Sequence, residues 1–233
     1  MVTRLEIIPI EGIPEIRAGD DLAVILLDAI TETGESLVDG DVVVVTHKVV
    51  SKAEGRLSEV ADEASYRRLV EGEAETILRR RGDLVITKTR HGFICANAGV
   101  DRSNTDESTA VLLPLDPDRS AHLLRTHIER NTGASIAVVV TDTFGRPWRR
   151  GLVDVAIGIS GLPAIVDLRG SVDGSGRMLD VTEIAIVDEI AAAADLVMGK
   201  ASRVPAAIVR GLALSGEGRA TDLVRPQEED MFR

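Results

Sequence analysis

Residues 135–151 read SIAVVVTDTFGRPWRRG. Ile136–Val140 is an unbroken apolar, largely β-branched run, which predicts a strand covered on both faces. The run stops at Thr141-Asp142-Thr143 and gives way to a predicted loop carrying Arg146, Arg149 and Arg150. A buried strand holds its last residues still, so polar groups there are well placed to build a site. A fixed carboxylate beside three guanidiniums suits a metal ion and an anionic phosphate. The same residues also read as a strand running into a solvated basic loop.

Toward the N-terminus, Leu5–Ile10 predicts a first strand, and Asp20 or Asp21 caps a predicted helix reaching about Thr31. Asp39-Gly40-Asp41 is a turn feeding Val42–Thr46, a second β-branched strand. The following segment, His47–Arg56, reads as a loop with Lys52 and Arg56 just beyond a buried strand. It is either a charged hairpin edge or a phosphate-contacting loop. Ser65–Arg81 is rich in Glu and Arg and predicts a helix capped by Gly82. Leu84–Thr89 and Phe93–Ala98 predict paired strands around His91-Gly92. The polar loop VDRSNTDES (100–108) then offers oxygen ligands at Asp101, Asn104 and Asp106. It lacks the glycine and terminal glutamate of a calcium-binding EF-hand loop.

Toward the C-terminus, Asp116-Pro117 starts a helix predicted to run to about Asn131 before Gly133. Val153–Leu162 and Ala164–Leu168 predict two strands, separated by a Gly/Ser loop from a helix over Thr182–Met198. In that helix Val187, Ile190, Ala191 and Ala194 share an apolar face, with Asp188, Glu189 and Asp195 opposite. Ala206–Val209 predicts a last strand.

The bulk numbers narrow the function. A formal charge of −11 disfavours a nucleic-acid surface. The five aromatics, Tyr66, Phe93, Phe144, Trp148 and Phe232, are too few for base-stacking platforms. An acidic chain that binds a polyanion must neutralise it locally, with a few Lys or Arg and a divalent ion. No apolar run approaches the roughly 20 residues that span a bilayer. The N-terminus is too short in apolar residues for a signal peptide, so a cytoplasmic location is expected. The single cysteine, Cys95, rules out an internal disulfide and a cysteine-built zinc site, and it is expected to be packed. Neither a GxxxxGK[ST] phosphate loop, nor a GxSxG nucleophile elbow, nor a dinucleotide fingerprint is present.

Seven segments carry a resemblance: GIPEIRAGDDL (12–22), VVVVTHKVVSKAEGR (42–56), NAGVDRSNTDE (97–107), LLPLDPDRSA (112–121), TDTFGRPWRRG (141–151), VDEIAAAADLVMG (187–199) and PAAIVRG (205–211). In kind and order they resemble the coenzyme F420:L-glutamate ligase family over nearly the whole chain. The resemblance implies a homodimeric enzyme that uses GTP and a divalent cation to attach L-glutamate to coenzyme F420-0, and then adds further γ-linked glutamates. It implies a family-specific mixed α/β fold, neither P-loop nor Rossmann, with one domain of two intertwined lobes over residues 1–233. Mg²⁺ or Mn²⁺ is the implied divalent ion, with K⁺ as an accessory ion, and neither nucleic acid nor membrane is an implied partner.

Matched position by position, the resemblance makes Asp101 and Asp142 catalytic metal ligands and Thr143 a ligand of a neighbouring ion. It makes Ile13, Pro14, Glu15, Ile16, His47, Lys48, Lys52, Asn104, Met198, Gly199 and Lys200 nucleotide-contacting positions. His47 and Lys48 stand where archaeal members have small hydroxyl residues, and Lys200 where they have an acid. Lys200 is therefore expected to hold phosphate charge directly, leaving one tightly held ion. Two other readings of the same aspartates stay open: a metal-dependent phosphohydrolase and a non-catalytic nucleotide-binding module.

Overall fold

A computed structural model describes residues 4–102, 108–200 and 202–231. In chain order its elements are β1 (Glu6–Ile10), α1 (Leu22–Glu32), β2 (Val42–Thr46), α2 (His47–Ala53), β3 (Leu57–Glu59), α3 (Glu63–Glu73), β4 (Ala74–Arg81), β5 (Leu84–Thr89), β6 (Ile94–Ala96), β7 (Thr109–Val111), α4 (Pro117–Thr132), β8 (Ala137–Gly145), β9 (Leu152–Ser160), β10 (Val166–Asp167), β11 (Glu183–Ile184), α5 (Ile186–Met198) and β12 (Ala206–Arg210). The fold is mixed α/β, as expected. Its centre is a five-stranded sheet in the order β1-β12-β2-β8-β9, in which β2 and β8 run parallel and the other neighbours antiparallel. The smaller β4-β5-β6 sheet and the β3-β7 and β10-β11 ribbons lie outside it.

The period of two along each strand sorts side chains onto the two faces of this sheet. Val43, Val45, Val138, Val140 and Ile208 pack with Leu26 and Ile30 of α1 and Leu124 and Ile128 of α4. Val42, Val44, Val139 and Val209 pack with Val187, Ile190, Ala194 and Met198 of α5. Local signals hold the helices in place. Asp21 accepts a hydrogen bond from Val24 N, Asp116 accepts one from Arg119 N, and Gly133 closes α4 at φ 74°.

Five sequence expectations change. The segment after β2 is a helix, α2, because His47, Val50 and Ser51 recur at helical spacing and bury one face. The helix expected over Ser65–Arg81 ends at Glu73, and Ala74–Arg81 is instead β4, turned through Gly82 onto β5. Helix propensities differ by only a few tenths of a kcal/mol among such residues, whereas each cross-strand pair contributes about 0.2–1 kcal/mol, so the hairpin prevails. The long helix starts at Ile186, four residues later than expected, and the strand over Ala164–Leu168 shrinks to β10. The central strand also runs on past Thr143 to Gly145, in a hairpin with β9.

That hairpin contains one irregularity that matters for the site. Val140 pairs with Gly158 but Thr141 pairs with Ala156, leaving Ile157 as an extra residue in β9. Such a β-bulge inverts which face the following residues occupy. Gly158 therefore lies against Pro117 of α4, while Ala156 joins the α5 side of the sheet. Asp154, two residues before Ala156, falls on that same side, directly opposite Thr143.

Candidate functional site

The ends of β2 and β8 open into a cavity of about 930 Å³. Its wall takes Ile13–Ile16 from the loop after β1, Lys48 and Lys52 from α2, Asp142 and Thr143 from β8, and Met198, Gly199 and Lys200 from the end of α5. These residues are distant in sequence. Parallel pairing of β2 with β8 in the register Thr46↔Thr141 sets both strand ends level, and α2 follows β2 without a linker.

His47 and Asp101, both expected at the site, are not among the residues lining the wall. His47 is 0% exposed, and its Nε2 lies 3.3 Å from an Asp142 carboxylate oxygen. Asp101 forms an ion pair with Lys48 at 2.8 Å, and Lys52 pairs with Glu15. Asn104 lies outside the described residues. Arg146, Arg149 and Arg150, expected as helpers for an anion, sit on the exposed tip of the β8–β9 hairpin and not in the cavity wall. There Arg146 Nη2 donates to the Arg150 carbonyl at 2.5 Å.

Among the charged residues of the wall, Arg17, Asp154, Asp195 and Arg203 escaped the sequence reading. Asp154 had a visible signal, an acid inside the otherwise apolar stretch LVDVAIGIS. Asp195 read as part of a solvated helix face. It is half-buried instead, and burial, reinforced by the charge of Asp154 and opposed by Lys200, pushes its carboxyl above the usual aspartate range.

The donor set fits a hard divalent cation. Asp142 offers a carboxylate and Thr143 a hydroxyl at the cavity wall, with Asp101 paired to Lys48. Both ring nitrogens of the buried His47 lack a hydrogen-bond partner, which leaves unmet polar capacity beside Asp142. Among the described residues no three His, Cys, Asp or Glu side chains group closely enough to cage an ion alone. Asp142 and Thr143 are hard oxygen donors of the kind that Mg²⁺ or Mn²⁺ would take. The soft alternative is closed: Cys95 is buried, and desolvation, with the Asp142 charge adding to it, pushes its thiol up to about 12.

The F420-0:Gamma-glutamyl ligase family model matches residues 12–211, which contain every element lining this cavity. The chain belongs to that family. Proteins named coenzyme F420:L-glutamate ligase are similar to it over nearly their whole length. The one from Methanothermobacter thermautotrophicus is 42% identical over 98% of this chain and 99% of its own. Those from Archaeoglobus fulgidus and Methanopyrus kandleri are 43% and 42% identical, each over 99% of this chain and 97% of theirs. As a member of the F420-0:gamma-glutamyl ligase family, the chain gathers most of its expected nucleotide-contacting positions around one cavity. Among the described residues no helix is long and apolar enough to cross a membrane.

Proposed function

We propose that this protein is a GTP- and divalent-metal-dependent ligase that joins L-glutamate to coenzyme F420-0 and then adds further glutamates through γ-links. The observation that carries the reading is the cavity at the β2 and β8 strand ends, where Lys48, Lys52 and Lys200 face Asp142 and Thr143 in a chain of this family. Such a wall combines cations for a polyphosphate with oxygen ligands for the ion that accompanies it.

An amide does not form from a carboxylate and an amine at neutral pH without activation. Among the described residues the cavity wall contains no Ser, Cys or His to carry an acyl group. The coenzyme carboxylate therefore attacks the γ-phosphorus and GDP departs. The amine of glutamate then attacks the acyl phosphate carbonyl and inorganic phosphate leaves. A bound Mg²⁺ or Mn²⁺ would supply charge neutralisation at the phosphates, held by Asp142 and Asp101 with Thr143 beside them. Lys52 and Lys48 hold phosphate oxygens from the α2 side, and Lys200 does so from the α5 side. Phosphoryl transfer asks the protein for this positioning and charge, and for little covalent chemistry. The reading includes a cytoplasmic homodimer, whose solution mass sedimentation would measure.

The test is incubation with F420-0 bearing ¹⁸O in its carboxylate, GTP, Mn²⁺ and glutamate. Mass additions of glutamyl units are expected, with ¹⁸O appearing in the released phosphate. Phosphate release without glutamylation would favour a phosphohydrolase instead, and glutamylation with unlabelled phosphate would refute the acyl phosphate.

A further inference from the structure

Asp154 is a carboxylate only 4% exposed, in the edge strand of the main sheet, and none of the expectations above assigns it a role. Both of its oxygens are engaged: Oδ2 accepts from the Thr141 hydroxyl at 2.9 Å and Oδ1 from the Thr143 hydroxyl at 2.6 Å. Burying a carboxylate is costly without such donors, and the β-bulge at Ile157 brings all three side chains to one face.

We infer that Asp154 is a positioning residue that turns Thr143 into an oxygen ligand for a divalent cation in the cavity. A hydroxyl has one proton and two lone pairs. Once the Thr143 proton goes to Asp154, the oxygen meets the cavity with lone pairs only. It cannot then donate to a phosphate or carboxylate; it can only accept, from a hydrogen-bond donor or from a cation, and of these the proposed function supplies a cation. Asp154 also anchors Thr141, one pleat deeper and fully buried, which locks the carboxylate plane. The buried carboxylate thus acts on the ion through Thr143, as outer-sphere partners do in metal sites. The identity of the cation rests on the proposed function; the arrangement of hydroxyl and carboxylate does not.

The experiment titrates the full chain with Mn²⁺, followed by electron paramagnetic resonance, in the presence of a non-hydrolysable GTP analogue and without F420-0 or glutamate. No turnover contributes to this readout. Asp154→Asn keeps the shape but leaves an amide that cannot accept both protons, and it is expected to weaken Mn²⁺ by about 10- to 100-fold. Thr143→Ser keeps the hydroxyl and should stay within a few-fold of the unmodified protein. Adding Asp154→Asn to Thr143→Ala should cost little beyond Thr143→Ala alone, because the effect runs through that hydroxyl. Unchanged Mn²⁺ affinity in Asp154→Asn, or a loss fully additive with Thr143→Ala, would overturn the inference and leave the proposed function standing. If Asp154→Asn does not fold, Thr141→Val decides: a few-fold loss of affinity supports the inference and none overturns it. Failure of the unmodified protein to bind Mn²⁺ with nucleotide would remove the metal from the proposed function and this inference with it.

Discussion

In the proposed function, Asp142 is where the chemistry narrows to single atoms. Its side chain shares the α1/α4 face of the sheet with Val138 and Val140, whereas Thr143, one residue on, faces α5. Adjacent residues of one strand end thus serve the two walls of the same cavity. Asp142→Asn keeps the shape and removes the charge, so kcat should fall about 10²-fold or more, as several kcal/mol of charge stabilisation are lost. Steady-state glutamylation assays check this, with near-normal turnover as the contrary result. Lys52 is 8% exposed and paired with Glu15 at the opposite wall. Lys52→Ala is expected to raise the apparent constant for GTP about tenfold and to leave that for glutamate within about twofold, since a hydrogen bond to a charged group contributes about 1.5–3 kcal/mol. Equal effects on both substrates would make the lysine structural.

Strand β9 shows how an element, and no single residue, places the site. As the edge strand of the sheet it leaves backbone N–H groups to be covered: Ile159 N donates to Asp118 and Ala156 N to Asp188 at the start of α5. Gly158 lets α4 lie against the strand, since an added Cβ would sit 2.3 Å from the Pro117 carbonyl oxygen. Gly158→Ala should therefore destabilise the fold by about 2–3 kcal/mol, lowering Tm by roughly 5–10 °C in a calorimetric scan. Asp188 bears on pH. Burial raises its carboxyl, an effect its hydrogen bond from Ala156 N opposes without cancelling. Below the unfolded value of about 3.9 the group is protonated and costs nothing; stability is lost as pH rises through the raised folded value. Asp188→Asn, which can still accept from Ala156 N, should match the unmodified Tm in acid and exceed it at neutral pH. A lower Tm for the variant at neutral pH would show that the hydrogen bond to the carboxylate outweighs its desolvation.

Across the whole molecule the charge is −11, yet the cavity wall gathers Arg17, Lys48, Lys52, Lys200 and Arg203 from three separate segments. On the proposed function, neutralisation of a triphosphate is therefore local and depends on those segments closing together on one side. Ligand binding should then tie the loop after β1, α2 and the end of α5 into one unit. GTP with Mn²⁺ at a hundredfold excess over its dissociation constant is expected to stabilise the fold by about 2.7 kcal/mol, or roughly 5–10 °C in Tm. Thermal scans of the unmodified protein and of Asp142→Asn check this; the variant should lose most of the shift.

Much of this was legible in the residues. Val42–Thr46 and Ile136–Val140 are apolar and β-branched along their length, so they announced buried strands. Asp21, Asp116 and Gly133 marked helix ends because capping is a short-range interaction. The segments carrying Asp101, Asp142 and Lys52 are weak signals one by one and became recognisable only together, in their order along the chain. Three things were decided only in the folded chain. Ala74–Arg81 became a strand because its partner β5 outweighed a weak local helical preference. His47–Ala53 became a helix because burial of one face overrode two β-branched valines. Asp154 reached the cavity wall because one extra residue in β9 reversed its face, and Asp195 joined it because α5 packs its C-terminal end over that same wall. Local propensity is read along the chain, but strand register and the meeting of distant segments depend on long-range packing, which no short window of sequence contains.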